Sequence, residues 1–248
     1  MANAESRNVV LEEFTGKTCT WCPAGHKIGA EMKAADPENV FLINIHAGGY
    51  ASGTPNYRTD FGADLDSQAG VSGYPAGTIN RQVFTGTATA TGRGAWTANA
   101  ATVRTQDAYV NVAAEASVDL VTNVLTVNVE AYYTGNSPAT SNFLNVALTQ
   151  DDIWGPQTGG QANYPENYDA ATGDYKHGHM LRHMLTGQWG EEITTTSMGT
   201  MISKTYTYTL PTIIGDVDMD VTKLNIVAFM TESTQDIINA GGGKVALA

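Results

Sequence analysis

The sequence predicts two unlike halves: an α/β unit with a parallel sheet over residues 1–106, followed by an all-β antiparallel sandwich of the immunoglobulin-like kind over residues 107–248. Three observations predict this. Between Asn8 and Ala47 an apolar run of strand length, a helical stretch and a second, nearly continuous apolar run follow one another. After about Gln106 the texture changes to segments in which apolar and polar residues alternate with period two. The composition, with 26 glycines and a charged fraction of only 15%, is that of secreted β-rich proteins rather than of charged helical ones.

The first half reads strand, turn, helix, strand. NVVLEEF from Asn8 is apolar and β-branched, TGKTC is a turn, and PAGHKIGAEMKAAD has helical character until Pro37 closes it. VFLINIHA (Val40 to Ala47) has the look of a strand buried on both faces, which makes a parallel βαβ unit with a right-handed crossover. HAGGYASGTPNYR is then a loop, TDFGADLDSQAG a short helix, VSGYPAGTINRQVFTG a turn and short strand split by Pro75, and AWTANAATVRTQ a further helix. In the second half AYVNVAAEASVDL, VLTVNVEAYYTG, FLNVALTQDD, SKTYTYTLP and LNIVAFMTES are strands with one face buried. The stretch between Trp154 and Gly178 is too long for a mere connection and is expected to pack over something or bind something.

Composition also excludes partners. The net charge is −12 and the arginines are scattered, so nothing is built to neutralise a phosphate backbone, and nucleic acid is excluded. No apolar run approaches the ~20 residues that cross a bilayer, and MANAESRNVV lacks the basic and apolar regions of a signal peptide. A polar start running straight into a strand suits a chain trimmed after a signal or lipid-attachment segment, with Met1 supplied as the start.

Both cysteines, Cys19 and Cys22, fall in FTGKTCTWCPAGH, three residues apart at the strand-to-helix turn. There a helix leaves its first N–H groups unpaired and its dipole favours negative charge, so a thiolate is stabilised. On that logic Cys19 is the nucleophile and Cys22 resolves the mixed disulfide. A zinc site would need further ligands from His26, His46 or carboxylates. A purely structural disulfide closes so short a loop that it removes little chain entropy.

NVVLEEFTGKTCTWC resembles the first strand and active-site turn of the thioredoxin superfamily, and VSGYPAGTIN resembles its cis-proline segment. The resemblance implies that Pro75 is the cis-proline, that Tyr74 offers backbone groups to an incoming peptide, and that Glu13, six residues before Cys19, takes and returns the proton of the second cysteine. A desolvated carboxyl there would have its pKa raised toward neutrality; the alternative places Glu12 inward or leaves both exposed. The sequence departs from that superfamily: Thr18 stands where a tryptophan usually precedes the first cysteine, Trp21 lies inside the motif, and Pro23 follows the second cysteine, so the redox potential does not carry over. LEEFTGKTCTWCPAGH, GYPAGTINR and HGHMLRHML together are similar to the outer-membrane-protein-28-related family of secreted or lipid-anchored proteins of Gram-negative bacteria, over nearly the full length.

Other clusters have less specific signals. His177, His179 and His183 form H-x-H-x-x-x-H, in which a strand would set His177 and His179 on one face near a metal, although Arg182 among them opposes a cation. Asp216, Asp218 and Asp220 resemble the start of a calcium loop but lack its glycine and its twelfth-position glutamate. His46 either tunes Cys19 or merely ends its strand. Tyr164, Tyr168, Tyr175, Trp154 and Trp189 either line a carbohydrate or peptide groove or anchor the long loop.

The expected function is thiol–disulfide exchange on protein or peptide thiols and disulfides outside the cytoplasm, in the periplasm or at the outer membrane or cell surface. Cys19, Cys22 and Glu13 are its catalytic residues, and Trp21, Tyr74 and Pro75 its substrate contacts. No cofactor beyond a redox-active Cys19–Cys22 disulfide is expected. The alternative is a surface binding or adhesion protein in which the cysteine-bearing half is a scaffold.

Overall fold

The computed structural model describes residues 3–248, so Met1, read above as a supplied start, lies outside the described residues. β1 (Val9–Thr15), α1 (Cys22–Ala35) and β2 (Val40–His46) form the expected parallel βαβ unit, in register from Val9 opposite Val40 to Thr15 opposite His46. Both strands are buried along their whole length, which is why their sequences run apolar without alternation. α2 (Gly62–Ala69) follows, and then β3 (Ala76–Ile79), antiparallel to β1, β4 (Thr91–Gly92) and α3 (Trp96–Val103). One face of the β1–β2 pair packs Val9, Leu11, Val40 and Leu42 against Met32 of α1 and Trp96, Ala100 and Val103 of α3.

Short two-residue pairs aside, the elements that follow are β5 (Val110–Asp119), β6 (Val124–Tyr133), β7 (Asn142–Gln150), β8 (Ile153–Gly155), α4 (Gly160–Asn163), β9 (Tyr175–His177), β10 (Met180–Met184), β11 (Glu191–Ile193), β12 (Met201–Thr209), β13 (Leu224–Thr231), β14 (Ile237–Lys244) and β15 (Ala246–Leu247). A four-stranded sheet, β12-β6-β5-β15, packs on β7 and β13 over a core that includes Val127, Val129, Leu144, Val146, Leu148, Ile226 and Met230. This is the sandwich-like part of the molecule. β12 shows the alternation the sequence advertised, whereas β7 and β13 are buried on both faces.

The expected fold class, an α/β thioredoxin-like domain followed by an all-β sandwich, is corrected here. The chain as a whole is mostly β-sheet, with 40% of residues in strands against 19% in helices, and a separate α/β thioredoxin-like domain is not what this fold shows. Strands from both halves share one nine-stranded sheet, ordered β14-β13-β7-β10-β2-β1-β3-β4 with β11 also on β7. The joint is β10, antiparallel to β7 and parallel to β2, where Met180 lies opposite Asn44. The physical reason lies in the second face of the β1–β2 pair. The eight-residue α2 supplies Leu65 and Ala69 over Phe41, Ile43 and Ile45; the rest of that cover is Ala147, Leu181, Met184, Val227, Phe229 and Ile237 from the later strands.

Asn80 and Arg81 of GYPAGTINR reinforce the joint. Asn80 Nδ2 donates to the carbonyls of Asn8 (2.8 Å) and Ile237 (3.0 Å), and Arg81 makes two 2.7 Å hydrogen bonds to the buried Glu12 carboxylate while lying over the Phe229 ring. A fully desolvated Arg–carboxylate fork of this kind is fixed in geometry and expensive to break. Among the described residues no helix is long and apolar enough to cross a membrane.

Candidate functional site

The turn between β1 and α1 carries the two cysteines, and they are joined as a Cys19–Cys22 disulfide. Pro23 sits in the first turn of α1, where its missing N–H is not needed. The Tyr74–Pro75 peptide bond is cis. A methyl group at Gly25 would lie 3.2 Å from Pro75 Cβ and would collide with Glu13 Oε1, so the proline, the helix and the carboxyl meet at Gly25. Trp21 is 56% exposed, with the Arg93 guanidinium 5.5 Å from its ring centre. The Tyr74 hydroxyl donates to Asp66, and its ring meets Tyr50 edge-on at 5.8 Å.

The disulfide is covered: Cys19 is only 3% exposed and Cys22 is fully buried. The cover is the long segment after β8, which ties down the carbonyls of the cysteine turn in succession. Gln157 Nε2 donates to the carbonyls of Gly16 (3.2 Å) and Cys19 (3.0 Å), the Thr158 N–H to Lys17 (2.8 Å), and the Asn163 side chain to Thr20 (2.8 Å). A side chain at Gly159, whose φ is +77°, would run into the Thr20 carbonyl, so the strap lies directly on the turn. From the other side the Tyr50 carbonyl accepts both the N–H and the hydroxyl of Thr18. The long segment thus packs over the cysteines, and Lys27 on α1 pairs with its Glu166 at 3.2 Å.

Beneath the turn lies a polar interior. Both Glu12 and Glu13 are buried, but among the described residues only Glu12 is paired with a cation, and neither Glu13 carboxyl oxygen has a hydrogen-bond partner there. Burial raises the Glu13 pKa well above its ordinary value, and the positive charge of Arg93 acts in the opposite direction without cancelling it. The nearest polar group is His26, whose Nε2 is 3.8 Å from Glu13 Oε1. The His26 ring is held at both nitrogens, by Thr15 Oγ1 at 2.9 Å and by the Tyr175 hydroxyl at 2.9 Å. Burial lowers its pKa to about 3, with His177 and His179 adding repulsion, so the ring is neutral.

His46 and His177 continue the cluster, 5.5 Å apart between ring centres, with Tyr57 edge-on to both. Burial lowers both pKa values, that of His177 to about 4. The Pro156 carbonyl favours a protonated His177, against the larger effect of burial, but among the described residues neither ring nitrogen meets the geometry of a formed hydrogen bond.

The structure therefore brings Cys19, Cys22, Glu13 and Pro75 together, sets Tyr74 beside them and leaves Trp21 at the surface. His177 and His179, proposed as neighbours on one strand face, part company. His177 turns inward to His26 and His46, while His179, at φ +52°, has Nδ1 3.3 Å from Asp151. His183 stacks on Tyr208 at 4.1 Å. Among the described residues no group of three or more His, Cys, Asp or Glu is placed to hold a metal ion. Asp216 and Asp220 cap backbone N–H groups of Asn56 and Thr222. Of the aromatic residues in the long segment, Tyr175 is fully buried and Tyr164 lies under Lys27, which makes them anchors; Trp154 is exposed.

Sequence reasoning missed Gln157 and the pairing of Tyr175 with His26. The available signal was PAGH itself, in which His26 follows Cys22 by one helical turn and so faces the same way.

Residues 63–246 match the family described as Outer membrane protein Omp28. The chain belongs to that family. Members are envelope proteins, and the chain is an extracytoplasmic protein of the outer membrane or cell surface of a Gram-negative bacterium. The matched span holds Pro75, the strap, His177, His179 and His183, and it begins after both cysteines, Glu13, His26 and His46, so the family match itself says nothing of the CxxC turn. No curated protein matches the sequence. Among solved structures, HBP35 of Porphyromonas gingivalis is similar in fold at 20% identity, with a TM-score of 0.78 over 97% of this chain and 76% of that one. A domain of the outer membrane lipoprotein Omp28 from Porphyromonas gingivalis is 19% identical with a TM-score of 0.38, over 56% of this chain and 98% of that one. A protein from Agrobacterium tumefaciens is 12% identical with a TM-score of 0.56, over 96% and 95%.

Proposed function

We propose that this envelope protein carries out thiol–disulfide exchange through Cys19 and Cys22 on small or extended thiol compounds, peptides included, that enter when the strap lifts. The observation that carries this reading is Glu13. A carboxyl buried without a cation or a hydrogen-bond partner is destabilising, and its neighbour Glu12 shows that this sequence can pair a carboxylate when pairing is wanted. Placed against Gly25, one turn beyond Cys22, and beside Pro75, it is a proton acceptor of raised pKa where a resolving thiol must lose its proton.

In that scheme a thiolate at Cys19 attacks a substrate disulfide, forming the Cys19–substrate bond and expelling the first substrate thiolate. Glu13 takes the proton of Cys22, and the Cys22 sulfur attacks Cys19, which closes the internal disulfide and releases the second substrate thiolate.

A second reading is favoured by the 3% exposure of Cys19 and the strapped carbonyls: a binding or adhesion protein in which the disulfide is a fixed cross-link. Reduced protein mixed with a small aromatic disulfide separates the two. Exchange supports the first reading if it is lost in Cys19→Ser and stalls at a trapped mixed disulfide in Cys22→Ser. A Cys19 thiol that titrates at its ordinary value, with rates no greater than those of free cysteine, supports the second.

A further inference from the structure

If Glu13 accepts a proton during exchange, that proton must later leave a site with no solvent contact and a closed strap above it. We propose that His26 is the positioning residue that connects Glu13 to solvent through Tyr175, and that the proton leaves by the pocket beyond Tyr175 rather than past the disulfide. The inference rests on the exchange reading and names residues that reading does not require.

The geometry is specific. His26 is the one titratable group within ion-pair reach of Glu13 among the described residues, and its ring cannot turn freely, because Thr15 Oγ1 and the Tyr175 hydroxyl hold its two nitrogens at 2.9 Å each. An imidazole fixed in this way can take a proton at Nε2 while giving one up at Nδ1, so it moves a proton without accumulating charge. That suits its surroundings, where a lasting imidazolium would be desolvated and repelled by His177 and His179. Tyr175 comes from β9, so a residue far along the chain completes the connection.

The Asn167 side chain lies close to the Tyr175 phenol, and Asn167, Tyr164, Lys176, His177 and His179 are among the residues that line a pocket of about 360 Å³. The proton accounting closes: Cys22 loses a proton to Glu13, Glu13 returns it to His26 Nε2, His26 Nδ1–H passes one to the phenol oxygen, and the phenol releases its own to the pocket. The charged and titratable groups facing this line are Arg93 toward Glu13, His177 and His179 toward His26, His46 behind His177, and Tyr164 toward Tyr175.

The test uses His26→Asn and Tyr175→Phe in the full chain, the second keeping the ring and removing only the hydroxyl. Two readouts are taken. The pH profile of the Cys22-dependent step is measured against a small aromatic disulfide, and the Glu13 carboxyl is titrated by carbon NMR in the disulfide form, which needs no turnover. The expected result is a roughly tenfold slower second step near pH 7 in both variants, with the first step, attack by Cys19, unchanged. In His26→Asn the Glu13 titration should also move upward. A second step within twofold of wild type in Tyr175→Phe, together with an unmoved Glu13 titration in His26→Asn, overturns the proposal. If His26→Asn does not fold, Tyr175→Phe alone decides by its rate. A wild-type protein that shows no exchange refutes the function proposed above, and the NMR titration then still decides whether His26 sets the state of Glu13.

Discussion

Replacing Gln157 by alanine removes the strap's hold on the cysteine turn at one point. The side chain is buried, and its amide donates to the Gly16, Cys19 and Thr158 carbonyls. Two of these carbonyls keep another partner: Gly16 accepts the Cys19 N–H at 3.0 Å and Cys19 accepts the Cys22 N–H at 3.3 Å. The variant therefore loses hydrogen bonds without leaving those two carbonyls bare, which sets the cost at about 1–2 kcal/mol rather than the larger penalty of an orphaned group. That loss falls on the closed state of the strap alone, so the open fraction should rise roughly tenfold, since about 1.4 kcal/mol corresponds to a factor of ten.

The assay is reduction of the Cys19–Cys22 disulfide by two reductants, a small phosphine and a protein-sized dithiol, at concentrations where the strap recloses faster than either reacts. In that regime the rate follows the open population. Gln157→Ala should accelerate both reductants about tenfold, with the urea midpoint of global unfolding shifted only slightly. Equal rates in variant and wild type for the protein-sized reductant would refute the idea that the strap controls access.

Gly25→Ala drives a methyl group into the Glu13 carboxyl and against Pro75, so it should destabilise the protein by about 1–3 kcal/mol in urea unfolding, and Glu13→Ala should recover part of the loss by opening space. Glu13→Gln should stabilise the protein at pH 7 and make no difference near pH 4. Below the ordinary value of 4.5 both folded and unfolded chains hold the proton, whereas above it only the unfolded chain ionises. The wild type therefore loses stability as pH rises from there toward the raised pKa, by about 1.4 kcal/mol for each pH unit crossed. The histidines act with the opposite sign. The unfolded chain gains protons below 6.5 while His177 and His26 stay neutral down to about 4 and about 3, so stability falls as pH drops, and His177→Phe should flatten that part of a urea-midpoint profile between pH 6.5 and 4.

The local part of this molecule was legible because it depends on near neighbours in sequence. The βαβ unit follows from NVVLEEF and VFLINIHA, and the meeting of Glu13, the cysteine turn and Pro75 follows from a strand, a tight turn and a strand paired alongside. What escaped was non-local. β10 reads MLRHM, five residues with a charge and a histidine at its centre, and it has no alternation to mark it as the strand that joins two halves into one sheet. Arg182 lies buried there, its guanidinium donating to the carbonyls of Ile214 and Val217, an environment the chain makes only by folding. The histidine spacing misled for a related reason: the left-handed backbone at His179 breaks the period-two pattern that would have set it beside His177.

The parallel pairing of β10 with β2 also sets an order of events as the chain emerges into the envelope, N-terminus first. β1, α1 and β2 are complete by His46, but the strand that covers the free edge of β2 begins at Met180, and the strap over the cysteines begins at Gln157. Until those segments arrive, β2 presents an open edge, a site for mispairing that must be kept apart from other chains. For the same interval Cys19 and Cys22 lie open to whatever oxidants the compartment holds, and closing a disulfide between residues so near in sequence needs nothing from the later chain. Oxidation is therefore expected to come early, with the strap then laid over a bond already made.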